Sequence, residues 1–320
     1  AKEFWNSCFQ NPWWTISSQI AFLLLSVFVL YAGVQRGIEA TNKILMPLLF
    51  VFLLFLAIVG LQLPGAHKGV EFLLKPDWSM LNGRVALIAL GQAFFGLSVG
   101  QGTMLTYGSY LREKDNLFKI SIPVTFAIVL VSMLAGLAIF TTLFSFGGEV
   151  TSGSELIFQA IPLVFSSMTF GPVLLLVFFA LILFAGLTSQ ISAMEPFISY
   201  LTDHHSYSRH KAVAVCGFLV MLLGIPVSLS YGVVKDLQIF GTSLFEGLSF
   251  FCVNVLIPLG ALSVVSLVAW KNPFNLFLDH IRKGAEDFLP PGSLLEKILF
   301  VSLKFVAPLV ILIILLNLFF

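Results

Sequence analysis

Charged side chains are scarce in this sequence. Only 10% of its 320 residues are Asp, Glu, Lys or Arg, whereas about 25% is usual in soluble proteins. Hydrophobic residues make up 58% of the chain. Because so few charged residues cannot cover a water-exposed surface, we exclude a soluble globular protein and predict an integral membrane protein.

The chain also lacks an excess of either charge and has few cysteines. Seventeen basic residues against sixteen acidic ones leave a formal net charge of +1, so the composition predicts no nucleic-acid partner. The three cysteines, Cys8, Cys216 and Cys252, are an odd number at wide spacing, and the last two lie in apolar segments. A disulfide framework and a metal cluster are therefore not expected.

Motifs of enzymes and cofactor sites are absent from the sequence as well. It contains neither a P-loop nor a dinucleotide-binding fingerprint. His204, His205 and His210 lie close to Asp203, but the two adjacent histidines cannot both face one metal ion, and no cysteine completes four ligands. We expect no catalytic residues, no cofactor and no metal other than a coupling ion.

Eight apolar segments reach or approach the length that crosses a bilayer as a helix. A hydrocarbon core about 30 Å thick needs about 20 apolar residues. Residues 174–184 are apolar at every position, whereas the strands of a membrane barrel alternate, so an all-α integral membrane protein is predicted. The predicted spans are 15–33, 44–63, 85–111, 120–146, 173–201, 212–229, 244–270 and 298–320.

Basic residues indicate which loops face the cytoplasm. Short cytoplasmic loops carry the excess of Lys and Arg, and that excess lies after the odd-numbered spans. Both ends of the chain are therefore predicted to lie on the outer side of the cell membrane. The chain crosses this membrane several times. The basic residues after odd-numbered spans are Arg36, Lys43, Arg112, Lys114, Lys119, Arg209, Lys211, Lys271, Arg282, Lys283 and Lys297, and those on the other side are Lys2, Lys68, Lys75, Arg84 and Lys235.

One outer connection carries a helical pattern of its own. Within residues 155–165, Leu156, Ile157, Ala160 and Ile161 recur at helical spacing. Two interpretations remain open. The segment is either an amphipathic lid over the outer face or a loop helix that only caps the bundle.

The third span is interrupted by flexible and polar residues. Residues 91–102 include four glycines, two glutamines and a serine. A helix broken near 96–102 frees backbone groups that lipid cannot satisfy, so the break must face protein, water or a ligand. The alternative is that Gly96 and Gly100 only let two helices approach closely.

Polar residues form a stripe along the fifth span. Thr188, Ser192 and Glu195 are spaced i, i+4 and i+7, which places them on one helix face. Hydroxyl and carbonyl oxygens on such a face suit a hard cation, although Ser and Thr in membrane helices commonly bond their own i−4 carbonyl. Because an ionisable group near mid-span is costly in lipid, Glu195 is predicted to face the protein interior.

Four separated motifs together resemble the neurotransmitter:sodium symporters. Residues 91–100 and 105–111 resemble the sixth helix of that family, and residues 185–189 with 195–196 resemble the eighth. Residues 37–39 resemble the loop between the fourth and fifth helices, and residues 239–241 and 258–260 resemble the ninth-to-tenth region. The motifs follow the family order across nearly the whole chain.

The resemblance implies a fold. These symporters, one of the known groups of transporters with discontinuous helices, have an inverted-repeat bundle of the leucine-transporter type. The eight spans would correspond to helices four to eleven of the bacterial eleven-helix form, with a broken sixth helix. The first three helices would then be missing or supplied by a complementing chain. Truncation at the N-terminus agrees with a chain that starts at Ala1 without a signal peptide.

The resemblance also implies a binding site. Sodium would be held by the Ala185 carbonyl and the hydroxyls of Thr188 and Ser189, and Tyr110 with Asp203 would form part of an inner gate. Phe95 would be an aromatic lid over the substrate. The residues implied in substrate binding are Phe95, Gly96, Ser98, Gln101, Ser189 and Ala193.

Some positions depart from the family pattern. Gly96 and Ile128 stand where side-chain oxygens usually help to bind the first sodium ion. Gln92 and Ser132 match two positions of the chloride site of some members, so chloride is a second candidate ion. Gln101 adds a hydrogen-bonding group to the pocket, and a buried amide needs a ligand or a water as its partner.

We therefore predict a sodium-coupled symporter of a small amino acid or a related zwitterion that works by alternating access. One rival is a non-transporting or degenerate membrane subunit that retains the fold. A second rival is a passive channel. Sodium-dependent binding of a ligand separates the symporter from the first rival, and current in the absence of substrate identifies the second.

Overall fold

The described part of the chain is almost entirely helical. The computed structural model describes residues 10–112, 115–148, 156–166, 168, 170–239, 241–271, 274–286 and 288–316. Residue 155 of the predicted outer helix and residues 317–320 of the last predicted span lie outside these ranges. One two-stranded antiparallel sheet occurs within them, in which β1 (Gln238–Ile239) pairs with β2 (Thr242–Ser243).

The helices follow the order of the predicted spans. The α-helices of the described residues are α1 (Pro12–Tyr31), α2 (Ala40–Leu61), α3 (Ala66–Leu74), α4 (Gly83–Gly96), α5 (Thr103–Ser109), α6 (Leu117–Ser145), α7 (Ile161–Ser166), α8 (Gly171–His205), α9 (Arg209–Ser228), α10 (Leu244–Phe251), α11 (Ile257–Ser266), α12 (Phe274–Arg282), α13 (Leu294–Val301) and α14 (Ala307–Leu316). π-Helical turns occupy Val34–Glu39, Leu156–Ala160, Cys252–Leu256, Leu267–Lys271 and Ser302–Val306, and 3-10 turns occupy Trp78–Met80 and Leu229–Tyr231.

Seven helical segments in the described ranges have the length and composition to cross a membrane. They are Pro12–Tyr31, Val34–Leu61, Leu117–Ser145, Gly171–His205, Arg209–Tyr231, Leu244–Lys271 and Leu294–Leu316. Between the second and third of them, the shorter apolar helix α4 is separated from α5 by residues 97–102. The structure therefore confirms the prediction of an all-α membrane fold with a broken helix.

Polar caps fix where several of these helices begin. The side-chain oxygen of Asn11 accepts a hydrogen bond from the N–H of Trp13 at 3.1 Å, and that of Asn82 accepts one from the N–H of Val85 at 3.0 Å. Asn is a favoured N-cap residue because its oxygen satisfies an N–H group that the first helical turn leaves free. Each cap stands directly before a helix and so determines where that helix begins.

Two compact units make up the chain. The first comprises Ala1–Asp77 with Val129–Phe245, and the second comprises Trp78–Ile128 with Glu246–Phe320. In the first unit, Ile161 and Phe165 of α7 are only 1% and 2% exposed and belong to the hydrophobic core with residues of α2, α6 and α8. The apolar face of the outer segment is thus packed into the core of its own unit.

Candidate functional site

Helix α4 ends in a Schellman-type cap. The N–H of Val99 donates to the carbonyl of Phe94, and the N–H of Ser98 donates to the carbonyl of Phe95, both at 3.0 Å. The residue after the C-cap of this motif is left-handed and usually Gly, but here it is Ser98, with φ of 52°. A left-handed residue with a side chain costs about 1–2 kcal/mol. The backbone is therefore strained at a residue predicted to lie near the substrate.

Glycines complete the break and bring it against α11. Gly100 and Gly102 have φ of 89° and 83°, a region that glycine occupies without a steric penalty. A Cβ added at Gly100 would overlap the carbonyl oxygen of Ile257 and lie 2.9 Å from the backbone nitrogen of Ala261. A Cβ added at Gly260 would overlap the carbonyl oxygen of Gly100. The two backbones therefore touch at a place that admits no side chain.

The two glycines of the predicted pair differ in their surroundings. At Gly96 the nearest atom to an added Cβ would be Cγ2 of Ile128, at 3.9 Å, which is an ordinary contact. At Gly100 an added Cβ would instead meet the backbone of Ile257 and Ala261. The sequence left open a broken helix or a close helix approach, and the structure combines them, because Gly100 both belongs to the break and makes the close approach.

The break leaves a run of backbone donors free. In the described residues, the N–H groups of Gly100, Gln101 and Gly102 donate no hydrogen bond. Successive N–H groups in a segment with left-handed residues form a concave positive surface that binds anions. Since lipid offers no acceptor, these donors need water or a polar ligand.

A cavity of about 200 Å³ lies beside α4 in the second unit. Gln92 and Phe95 of α4 line it, together with Asn254 and with Ile311 of α14. The side-chain amide of Asn254 donates to the carbonyl of Phe250 at 3.1 Å. Phe95 is 43% exposed, so its ring has open space on one side.

One turn of α8 groups the oxygens of the predicted sodium residues. The Thr188 hydroxyl donates to the carbonyls of Phe184 and Ala185, at 3.1 Å in each case, and Thr188 is only 4% exposed. The Thr188 hydroxyl thus bonds carbonyls of its own helix, which is the alternative to cation binding that the sequence left open. Ser189 is exposed, and its hydroxyl makes no hydrogen bond within the described residues. Hydroxyl and carbonyl oxygens are suitable ligands for a hard cation, and here the Ala185 carbonyl already accepts the bond from Thr188.

Glu195 is fully buried and ion-paired. Its carboxylate accepts two hydrogen bonds from the guanidinium of Arg209, at 2.9 and 2.8 Å, and it is 0% exposed. Nε of Arg209 also donates to the carbonyl of Leu30, at 3.1 Å, so the pair connects α8, α9 and α1. A two-point contact is strong, and a buried carboxylate requires such a partner. The interior position predicted for Glu195 is confirmed.

The sequence alone does not identify Arg209 as the partner of Glu195. Arg209 lies 14 residues further along the chain, in a segment that the positive-inside pattern assigned to a cytoplasmic loop. Nothing in local spacing joins the two residues. The one available signal was the high cost of an unpaired carboxylate inside the protein. This cost predicts a cation near Glu195 but does not identify which residue supplies it.

The remaining predicted residues occupy exposed or partly exposed positions. Tyr110 is 40% exposed, and its ring lies 6.4 Å from that of Tyr107. Asp203 is exposed near the end of α8 and accepts hydrogen bonds from the hydroxyls of Ser199 and Thr202, at 3.2 and 3.3 Å. The first unit holds Ser132, Ala185, Thr188, Ser189, Ala193 and Asp203, and the second holds Gln92, Phe95, Gly96, Ser98, Gln101 and Tyr110.

Comparisons with known proteins identify the family. The sequence profile described as "Sodium:neurotransmitter symporter family" matches residues 11–320. An uncharacterized sodium-dependent transporter of Bacillus subtilis is 38% identical over 312 residues, which cover 98% of this chain and 68% of that protein. One from Haemophilus influenzae is 36% identical over 319 residues, which cover 99% of this chain and 68% of that protein. The crystal structure of MhsT in complex with L-phenylalanine matches with a TM-score of 0.87 and 36% identity, over 98% of this chain and 70% of MhsT.

The chain belongs to the sodium:neurotransmitter symporter family. It is a multi-pass membrane protein of a family of sodium-dependent transporters, which are not enzymes. The match to MhsT confirms the leucine-transporter type of fold. The resemblance stated from the motifs is thus confirmed, and this chain spans about two thirds of the length of its relatives.

Proposed function

We propose that this protein carries a small amino acid or a related zwitterion across the membrane together with sodium, by alternating access. Membership of the family supports the sodium coupling. The observation that carries the proposed substrate class is the run of free N–H groups at Gly100, Gln101 and Gly102 in a broken helix.

A zwitterion suits the chemistry of this break. Free N–H groups in left-handed backbone favour a carboxylate, and the carbonyl end of α4 carries partial negative charge that favours an ammonium group. One small molecule with both groups would therefore find both charges complemented. L-Phenylalanine bound to MhsT has this chemistry, which supports the same class here.

Within the substrate site, Phe95 covers the bound molecule and Ser98 lies near its polar groups. In this proposal, Gly96 and Gln101 of the second unit and Ser189 and Ala193 of the first unit also contribute to substrate binding. Gln101 provides an amide for a polar substituent or a water, since a buried unpaired amide is costly.

Sodium binding is assigned to the Ala185 carbonyl and the hydroxyls of Thr188 and Ser189. Coupling arises by linkage, because an ion that binds the outward-open state more tightly raises the population that binds substrate. Tyr110 and Asp203 belong to the inner gate in this proposal, and Gln92 with Ser132 would contribute to any chloride site.

Sodium-dependent binding to the purified full-length protein tests the proposal. Radiolabelled amino acids, beginning with L-phenylalanine, are titrated in sodium and in choline buffers. Thr188→Ala and Ser189→Ala should each raise the sodium concentration for half-maximal binding about tenfold or more, because a lost contact to a charged partner costs about 1.5–3 kcal/mol. Thr125→Ala is the matched control, since Thr125 makes the same type of i−4 bond, at 2.9 Å, at an exposed position of α6.

Three outcomes would count against the proposal. An unchanged sodium response in both α8 variants would remove the assigned sodium site. No sodium-dependent binding of any amino acid or other zwitterion would favour a non-transporting subunit. Ionic current in proteoliposomes without any substrate would favour a channel.

A further inference from the structure

We propose that the predicted cytoplasmic side of the last two spans binds the headgroup of an anionic phospholipid. The site lies in the second unit, where the π-helical turn Leu267–Lys271 packs against the π-helical turn Ser302–Val306. Its cations are Lys271, Lys297 and Lys304. This assignment concerns the lipid-facing surface and does not depend on the proposed substrate or sodium residues.

Lys304 is a cation placed inside a membrane span. It lies six residues, or about 9 Å, beyond Ile298, where the polar loop ends. Its Nζ lies 5.0 Å from the centre of the Phe300 ring, one turn earlier, so the side chain extends back toward the predicted cytoplasmic surface. Lys304 forms no ion pair with a described carboxylate. An anionic group at the membrane surface would stabilise this ammonium group.

Two more lysines share the same surface. Lys297 precedes Lys304 by seven residues, which places both on one face of the last span. Lys271 ends the π-helical turn that contacts the turn of Lys304. Both are exposed, and neither forms an ion pair within the described residues, although Lys297 is close enough to Glu296 for an electrostatic attraction. Three lysines thus lie on this part of the second unit, and none of them forms an ion pair with a carboxylate of the described residues.

Two described carboxylates of this region share one cation. Arg282 forms an ion pair with Glu296 at 2.7 Å and another with Asp279 at 3.2 Å. The N–H of Gly292 donates a further hydrogen bond to Glu296 at 2.6 Å. Arg282 balances one of these two negative charges, so the three lysines exceed the negative charge that remains in this group of residues.

Aromatic rings give this surface the character of a membrane interface. Trp270 is 58% exposed beside Lys271, and Trp is enriched at the level of lipid headgroups. The ring of Phe300 lies 5.0 Å from that of Phe274, and Phe305 is 56% exposed one turn further into the span. A free phosphate ion would use only the lysines, whereas a phospholipid would also cover the exposed rings. Basic sites between spans on the cytoplasmic side are suited to anionic lipid headgroups.

Native mass spectrometry of the delipidated full-length protein tests this site. The protein is mixed with equal amounts of phosphatidylglycerol and phosphatidylcholine, and the retained lipids are counted. Wild type should retain phosphatidylglycerol preferentially. Lys304→Gln should weaken that binding about fivefold, and the variant with Lys271→Gln, Lys297→Gln and Lys304→Gln about a hundredfold.

Matched variants and a soluble competitor make the result decisive. Lys235→Gln removes one exposed positive charge from the opposite side and should leave lipid retention unchanged. Arginine at the three lysine positions should preserve it, which controls for misfolding of the glutamine variants. Equal retention of phosphatidylglycerol by wild type and the triple glutamine variant would overturn the proposal. Equal retention of both lipids by wild type, or displacement of phosphatidylglycerol by millimolar inorganic phosphate, would also overturn it.

Discussion

Replacing Gly100 by alanine tests the close contact between the helix break and α11. The added methyl group would overlap the carbonyl oxygen of Ile257. The backbone fixes the positions of both atoms, so no side-chain rotation can relieve the overlap. The substitution also places a side chain on a residue with φ of 89°. We therefore expect Gly100→Ala to destabilise the protein from two independent causes.

The expected loss follows from these two terms. A left-handed residue with a Cβ costs about 1–2 kcal/mol, and overpacking costs about 1–3 kcal/mol, so the free energy of unfolding should fall by about 2–5 kcal/mol. Gly96→Ala is the matched control. Its Cβ would meet Ile128 only at 3.9 Å, and alanine is favoured over glycine at a helical position by about 0.5–1 kcal/mol.

Thermal unfolding of the full-length protein in detergent distinguishes the two variants. Gly100→Ala should unfold at a clearly lower temperature than wild type, while Gly96→Ala should unfold at the same or a higher temperature. If both variants unfold together with wild type, the backbone contact between Gly100 and α11 does not exist as described. If both fall equally, the cause is a general intolerance of the break to substitution.

Three further substitutions have defined outcomes. Ser98→Gly should raise the free energy of unfolding by about 0.5–1 kcal/mol, because the relief of left-handed strain exceeds the entropy that glycine adds to the unfolded chain; a decrease in thermal stability would contradict the strain. Glu195→Gln should lower the free energy of unfolding by about 3 kcal/mol, because Arg209 loses its counter-charge. Glu39→Gln is the control and should cause no measurable change, because the Glu39 ion pair is exposed. Equal melting temperatures for both variants would count against the buried pair. Gln101→Phe should shift ligand preference toward smaller or less polar amino acids, and a competition profile identical to wild type would exclude Gln101 from the pocket.

Much of the fold could be predicted because its signals are local. The apolar composition of a span such as Pro12–Tyr31 predicts a membrane helix. The concentration of glycine and glutamine in residues 91–102 predicts the break. The motifs around Phe95 and Thr188 added the family. Each of these inferences uses residues that are neighbours in the sequence, so no knowledge of packing was needed.

The missed features depend on contacts between distant segments. The sequence could not distinguish Gly96 from Gly100, because the difference lies in the position of the Ile257 carbonyl. It could not pair Glu195 with Arg209 across a change of helix. It also did not reveal the left-handed conformation of Ser98, since serine rarely adopts it. Packing, which local pattern does not encode, decides all three.

Helix α8 also proved longer than the predicted span. Hydropathy ended the fifth span at residue 201, but the helix continues through Asp203 to His205. Hydropathy detects only the part of a helix that lipid surrounds, because polar residues form helices in water as well. Its end in the structure is marked instead by Ser206, which is left-handed with φ of 52°.

The length of α8 has a mechanical consequence. Its 35 residues extend about 52 Å, so even a tilt of about 40° leaves about 10 Å outside a hydrocarbon core of about 30 Å. Thr188 and Asp203 are about 22 Å apart along this rod. A pivot of about 10° at Thr188 would move Asp203 by about 4 Å. If α8 moves as one body, a small rotation at the proposed sodium residues would therefore become a larger displacement at the exposed end of the helix.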